Sequence, residues 1–292
     1  MKRLLNTLYI TSGNRYLSLD GENVVVMEDK KEIGRIPLHN LQAIVTFGYT
    51  GASPALMGAC AQRNIELSFM SGNGRFLARV SGEEKGNVTL RKTQYRISEK
   101  KEESVKIAKN FILGKVYNAR WVLERAARDY SMRLDAELLK KKSAFLGQSM
   151  NKIRECEDAG TLLGLEGEAA SVYFSAFDER ILQQKEDFYF HGRNKRPPLD
   201  NVNAMLSFGY SLLAGMCGGA LEAVGLDPYV GFFHTDRPGR MSLALDLMEE
   251  FRSVMVDRFV LTLINKRIMK PEYFLTKENG AVIMTEEGRK AF

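Results

Sequence analysis

A change of hydrophobic period between residues 81 and 87 constrains this chain more than any other feature. Before it, the runs LNTLYI, NVVVM, IGRIPL, LQAIVTF, IELSFM and RFLARV are short and rich in branched and aromatic residues. Gly, Asn or Asp turns separate them, which is the signature of strands. Asp20-Gly21 and Gly72-Asn73-Gly74 are expected hairpin loops. Residues 53–63 interrupt the pattern as a short helix, with Ser53 as N-cap and Pro54 at the first helical position. Beyond the polar stretch 81–87, Val105, Ala108, Ile112, Val116, Ala119 and Val122 recur three or four apart, the helical period. Further helices are expected over 135–153, 158–184, 202–224 and 242–268, with a short hairpin near 280–286. The fold class is α+β. A small β domain spans 1–82, a linker and the start of the first helix 83–97, and an all-α domain 98–292.

Composition narrows the classes. A chain 45% hydrophobic and 27% charged is not disordered. Its net charge of +6 conceals a pattern. Residues 88–155 hold 17 Lys and Arg against 8 Asp and Glu, whereas residues 156–292 hold 15 against 20. Cys60, Cys156 and Cys217 are an odd, widely spaced set with no CxxC, which favours a reducing cytoplasm. The opening MKRLLNTLYI lacks an adequate apolar core for a signal peptide. The apolar stretch 204–224 is broken by glycines and Glu222, so it reads as a buried helix and not a membrane span.

Three segments carry candidate chemistry. His234 lies in the polar loop GFFHTDRPGR, directly before a helix with carboxylates at Asp246, Glu249 and Glu250. Asp246 and Glu249 share a helix face at i, i+3 and can point towards that loop. The same spacing equally fits a solvated face with Glu249 paired to Arg252 or Ser253. In the second segment, Glu166 sits between Gly164 and Gly167 in an apolar helix. Each interior glycine costs about 1 kcal/mol against Ala, so another segment or a ligand is expected to approach closely there. Third, residues 187–203 interleave Phe188, Tyr189, Phe190 and His191 with Arg193, Lys195 and Arg196. That suits a nucleic-acid strand, with phosphates on the cations and bases on the rings, or a loop whose rings simply fill the core. A histidine with two carboxylates suits magnesium or manganese, but spacing alone does not connect Glu166 to His234. No P-loop, GxSxG or HExxH is present.

Taken together, GLEGEAASVYF, FHGRNKRPPLDNVNAMLSFGYSLL and GFFHTDRPGRMSLALDLMEEFR resemble, in order and spacing, the CRISPR adaptation integrase family, the CRISPR-associated endonucleases that capture spacers. YITSGNRYLSLDGENVVV and IPLHNLQAIVTFG resemble its N-terminal domain, and RKTQYR and LDLMEEFR are closest to the type I-C branch. The resemblance implies a β-sandwich-like N-terminal domain that forms homodimers and an α-helical catalytic domain. It implies a Mg2+- or Mn2+-dependent DNA endonuclease and integrase of antiviral defence, in which a 3′-hydroxyl attacks a phosphodiester of the CRISPR array. By motif match, Glu166, His234 and Glu249 would be the metal ligands and Asp246 an accessory acid. Glu249 stands where many relatives have Asp. Arg193, Lys195, Arg196, Arg91, Lys92 and Arg96 are the candidate DNA contacts. A small ferredoxin-like CRISPR-associated protein would bridge two dimers. The chain ends at Phe292, inside a segment where relatives continue into a further helix and a basic tail. The competing readings are a non-catalytic DNA-binding scaffold of the same fold and a general metal-dependent nuclease acting on other nucleic acids.

Overall fold

The computed structural model describes residues 6–72, 74–82 and 87–292. Residues 1–5, Asn73 of the second expected hairpin loop and residues 83–86 of the expected linker lie outside the described residues. The chain divides into two compact units, 1–85 and 86–292.

The first unit holds two four-stranded sheets. One runs β4 (Lys31–Pro37), β3 (Asn23–Glu28), β2 (Arg15–Asp20), β6 (Gly51–Ala52); the other runs β1 (Thr7–Ile10), β5 (Ala43–Phe47), β7 (Glu66–Met70), β8 (Phe76–Val80). β2 and β3 are antiparallel with Asp20 opposite Asn23, so the tight turn is Gly21-Glu22, with Gly21 at φ 56°. Here glycine supplies the left-handed backbone the turn needs. β1, β5 and β7 are parallel, and β7 and β8 antiparallel. Leu17, Val24 and Val26 of one sheet and Ile10, Ile44 and Leu67 of the other join a single core, which α1 (Pro54–Gln62) completes through Leu56 and Cys60. The Ser53 hydroxyl caps α1 by accepting from the Leu56 N–H, and Pro54 opens the helix, as expected.

The second unit is mostly helical. α2 (Val88–Glu99) is a helix of its own, where a linker and the start of one long helix were expected. The Asn87 side chain starts it by accepting from the N–H groups of Thr89 and Leu90. α3 (Lys101–Asp129) packs on α4 (Ala136–Glu155) and α5 (Ala159–Phe174). Ile112, Val116 and Leu123 of α3, Leu139, Leu146 and Ile153 of α4, and Leu162, Ala169 and Tyr173 of α5 form the core. α6 (Asn201–Ala223) is long and apolar enough to cross a bilayer, but 61% of its apolar window is buried in the protein, so it is a core helix. At Gly209 a Cβ would stand 2.7 Å from Val256 Cγ1, so only glycine allows that approach. α7 (Ser242–Phe251) continues through a π-turn (Arg252–Asp257) into α8 (Arg258–Asn265). β9 (Phe274–Thr276) and β10 (Val282–Met284) form the C-terminal hairpin, and α9 (Glu286–Ala291) follows. All three cysteines are free and buried.

Leu123 is fully buried at the heart of α3. Leu123→Ala should cost about 2–5 kcal/mol through lost transfer energy and the cavity left behind, read as a lowered urea midpoint. An unchanged midpoint would place the stability of the helical unit elsewhere.

Candidate active site

One carboxylate gathers three successive N–H groups of the loop before α7. Asp246, fully buried on α7, accepts from the backbone N–H groups of Phe232 (2.7 Å), Phe233 (2.9 Å) and His234 (2.9 Å). Its Oδ1 also lies 2.7 Å from His234 Nδ1. A proton on Nδ1 directed at Asp246 leaves Nε2 with its lone pair available. Gly231 makes the tight entry possible, since a Cβ there would be 2.7 Å from Ser242 Cβ and 2.8 Å from the His234 carbonyl oxygen. Two other helices hold the loop. Gln94 of α2 donates to the carbonyls of Asp227 (2.8 Å) and Val230 (2.9 Å) and accepts from the Asp227 N–H. Ser104 of α3 donates to the Phe232 carbonyl.

One turn beyond Asp246, Glu249 is only 4% exposed. Two cations meet it. Arg252 Nη1 donates to Oε1 at 2.8 Å, and Lys115 Nζ of α3 stands 2.6 Å from Oε2. The same Lys115 ammonium donates to Glu166 Oε1 of α5. α3, α5 and α7 thus bring Glu166 and Glu249 onto one positive charge, and His234 acts electrostatically on Glu249 as well. Burial alone would raise the Glu249 carboxyl, but Lys115 and Arg252 outweigh it and hold the group below the ordinary carboxylate value. That depression stabilises the fold above the unfolded carboxylate pKa and is lost as pH falls through the folded one.

Behind this centre Arg252 is braced. Its guanidinium lies 4.4 Å from the Tyr210 ring centroid, and the Tyr210 hydroxyl donates to Asp257. Burial pushes the Asp257 carboxyl up, against the lowering effect of Tyr210, Tyr173 and the Arg180 and Arg252 charges. The π-turn hydrogen bond from the Arg258 N–H to the Ser253 carbonyl brings the chain back to one side after five residues. Arg252 and Asp257 can therefore both address Tyr210.

Of the expected ligands, Glu166 and Glu249 share an ammonium, and His234, held by Asp246, lies within electrostatic reach of Glu249. An oxygen-rich set with one imidazole suits a divalent cation of the magnesium or manganese kind, and the ammonium marks where positive charge is favoured. Among the described residues, however, no three His, Cys, Asp or Glu side chains stand close enough to share an ion as placed. The two carboxylates are closed on Lys115 instead. Glu168, two residues beyond Glu166, is exposed. For the glycines flanking Glu166, close approach of another chain segment is not the reason. A Cβ at Gly164 or Gly167 would meet nothing within 4 Å, so no described segment packs there and that face of α5 is open.

The expected DNA contacts divide. Lys195 and Arg196 are exposed. Burial lowers the Lys195 pKa, as do the like charges of Arg252, Arg193 and Arg196, while Glu249 opposes the shift, so Lys195 lies within electrostatic reach of the centre. Arg193 is turned inward. It donates to the Asn194 carbonyl, Asn203 Oδ1 (2.6 Å) and Ser207 Oγ (3.0 Å), and lies 5.4 Å from the Tyr210 ring centroid. On α2, Lys92 and Arg96 are exposed and Arg91 is half-buried. Lys115 escaped the sequence reading, as did the roles of Gln94, Tyr210 and Asp257. For Lys115 a signal existed: it falls three residues after Ile112 and four before Ala119, on the buried face of α3.

Two sheets followed by a helical unit, with acids gathered beside a basic loop, define an α+β protein whose site is built for cations and for the anions they attract. The family model described as CRISPR associated protein Cas1 matches residues 8–292, and the chain belongs to the Cas1 family. A CRISPR-associated endonuclease Cas1 of Chlorobaculum tepidum is 46% identical over 290 residues, covering 99% of this chain and 84% of that relative. A CAS1 protein from Thermotoga maritima has the same fold, with a TM-score of 0.80 at 24% identity over 98% of this chain and 87% of that one. A casposase bound to its integration product matches with a TM-score of 0.80 at 26% identity, covering 98% and 80%.

Asp246→Ala would strip three backbone N–H groups of their acceptor, at about 1–3 kcal/mol for each that stays buried. Amide hydrogen exchange at Phe232, Phe233 and His234 should accelerate far more than in the α3–α4 core. Equal exchange in both proteins would show that something else holds the loop.

Proposed function

We propose that this chain carries out strand transfer and cleavage of DNA at the centre formed by Glu166, His234 and Glu249. It is a Cas1 endonuclease and integrase of CRISPR spacer acquisition. The observation that carries the site assignment is the part-buried carboxylate of Glu166 on α5 and the buried one of Glu249 on α7, drawn onto one positive charge, with His234 in electrostatic reach of Glu249. Glu166, Glu249 and the Nε2 of His234 would hold a magnesium or manganese ion, which when bound supplies positive charge to a phosphodiester under attack by a 3′-hydroxyl or by water. Asp246 keeps the imidazole oriented through Nδ1. Arg252 fixes one oxygen of Glu249, so the other is presented to the cation. Lys195 and Arg196 take backbone phosphates beside the centre, with Lys92 and Arg96 as further contacts; such contacts position DNA without reading its sequence. Arg193 braces the loop from within. The casposase captured on its integration product shares the fold, which supports DNA joining as the reaction. A homodimer through the β-rich unit, a small bridging CRISPR-associated protein, cytoplasmic location and type I-C-like affiliation complete the reading.

Single Ala substitutions at Glu166, His234 and Glu249 should each abolish manganese-dependent cleavage and disintegration of branched DNA, with EDTA as the matching control. Full activity in His234→Ala would sink the site. Lys195→Glu with Arg196→Glu should weaken DNA binding and reduce the salt slope by about two. An unchanged slope would remove that loop from the DNA path.

A further inference from the structure

We infer that Lys115 is a built-in counter-ion that holds the place of the divalent cation and must leave for the cation to bind. The inference rests on the metal-site reading above. Lys115 Nζ touches Glu166 and lies 2.6 Å from Glu249 Oε2, and it makes no other polar contact among the described residues. Glu166 has no other polar partner among those residues. Glu249 Oε2 is buried and takes no well-directed hydrogen bond, so the ion pair is all that compensates it. A lysine ammonium has three donors and no lone pair. It cannot join a coordination shell, and it occupies the same carboxylate lone pairs that a metal ion requires.

The two occupants therefore exclude one another. Their charges also repel at this separation in a site that water barely screens. The lysine offsets the repulsion between the buried Glu249 and the part-buried Glu166, from different helices, and holds them together. Lys115 is only 13% exposed on a flexible stem. The cavity beside the stem is lined by Val116, Ala119, Leu146 and Ala169 but also by Arg252 and Asp257, and the Arg252 charge disfavours a second cation there, so the displaced ammonium is expected to go outward. Arg252 remains on the other oxygen of Glu249 throughout. Lys115 is thus a positioning and gating residue, and its removal should tighten metal binding while loosening the protein without metal.

The test is Mn2+ binding, followed by calorimetry and by electron paramagnetic resonance of free Mn2+, in the whole protein and in Lys115→Met, Lys115→Arg and Glu166→Ala. Lys115→Met should bind Mn2+ about tenfold more tightly than wild type, the scale of a typical coupling between two competing occupants. Its melting temperature without metal should fall and should rise on Mn2+ addition by more than in wild type. Lys115→Arg, which keeps a cation, should stay near the wild-type affinity. Weaker or unchanged Mn2+ binding in Lys115→Met overturns the inference. Should that variant not fold, amine acylation of wild type followed by mass spectrometry decides: Mn2+ should speed modification of Lys115, and unchanged or slower modification overturns it. Glu166→Ala separates the two layers. Wild-type Mn2+ binding that survives Glu166→Ala unaltered refutes the metal site itself; binding lost in Glu166→Ala but not tightened in Lys115→Met refutes only the gate.

Discussion

Everything at this centre depends on the buried carboxylate of Glu249 being met from two sides. A charged group so far from water is costly unless paired. Arg252 takes one oxygen and Lys115 the other. Because the partners come from α7's own continuation and from α3, the pairing also fixes how those helices sit. Asn118 of α3 reinforces the same contact by donating 2.7 Å to the Glu250 carbonyl, and Gly114 leaves room for the Glu250 side chain, whose Cγ would lie 2.8 Å from an added Cβ. Glu166 then completes a three-helix bridge through a single ammonium.

The π-turn after α7 belongs to the same requirement. On a regular α-helix, residues five apart point about 140° from one another. Widening the turn over Arg252–Asp257 returns both residues to the α6 side. There the Tyr210 ring stacks on Arg252 while its hydroxyl donates to Asp257. Asp257 is further tied to Tyr173 of α5, which accepts from Arg180. A change in helical pitch, and not a longer side chain, thereby braces the guanidinium that orients Glu249. Distortions of this kind cluster where geometry serves function.

The division into strands and then helices was legible because hydrophobic period is a local property. The strand Arg15–Asp20 went unread: its exposed Tyr16 and part-buried Ser18 weaken the alternation, and it is defined by pairing with β3 and β6. The acids and the histidine were visible as motifs. The approach of Glu166 to Glu249 was not, because the two share Lys115 only through the packing of α3, α5 and α7. The bland reading of Glu249, paired with Arg252, is true of the protein, yet the pair is buried at the centre and not solvated. Arg193 looked like a surface cation because its sequence neighbours are polar. The amide of Asn203 and the hydroxyl of Ser207, 10 and 14 residues away, draw it inward.

The regional charges acquire a structural meaning from the same contacts. The basic excess of residues 88–155 cannot all face a polyanion. Lys115 crosses to the acids of α5 and α7. Lys109 donates to the Arg154 and Cys156 carbonyls at the end of α4, where a helix C-terminus favours a cation. Arg120 reaches Ser143. Further exposed cations lie along α3 and α4, and Lys92 and Arg96 stay exposed on α2, the helix whose Gln94 clamps the loop leading to His234. Any strand drawn to those cations would therefore pull on the same helix that fixes the histidine. Surface charge on α2 and the geometry of the His234 loop are joined through one buried glutamine.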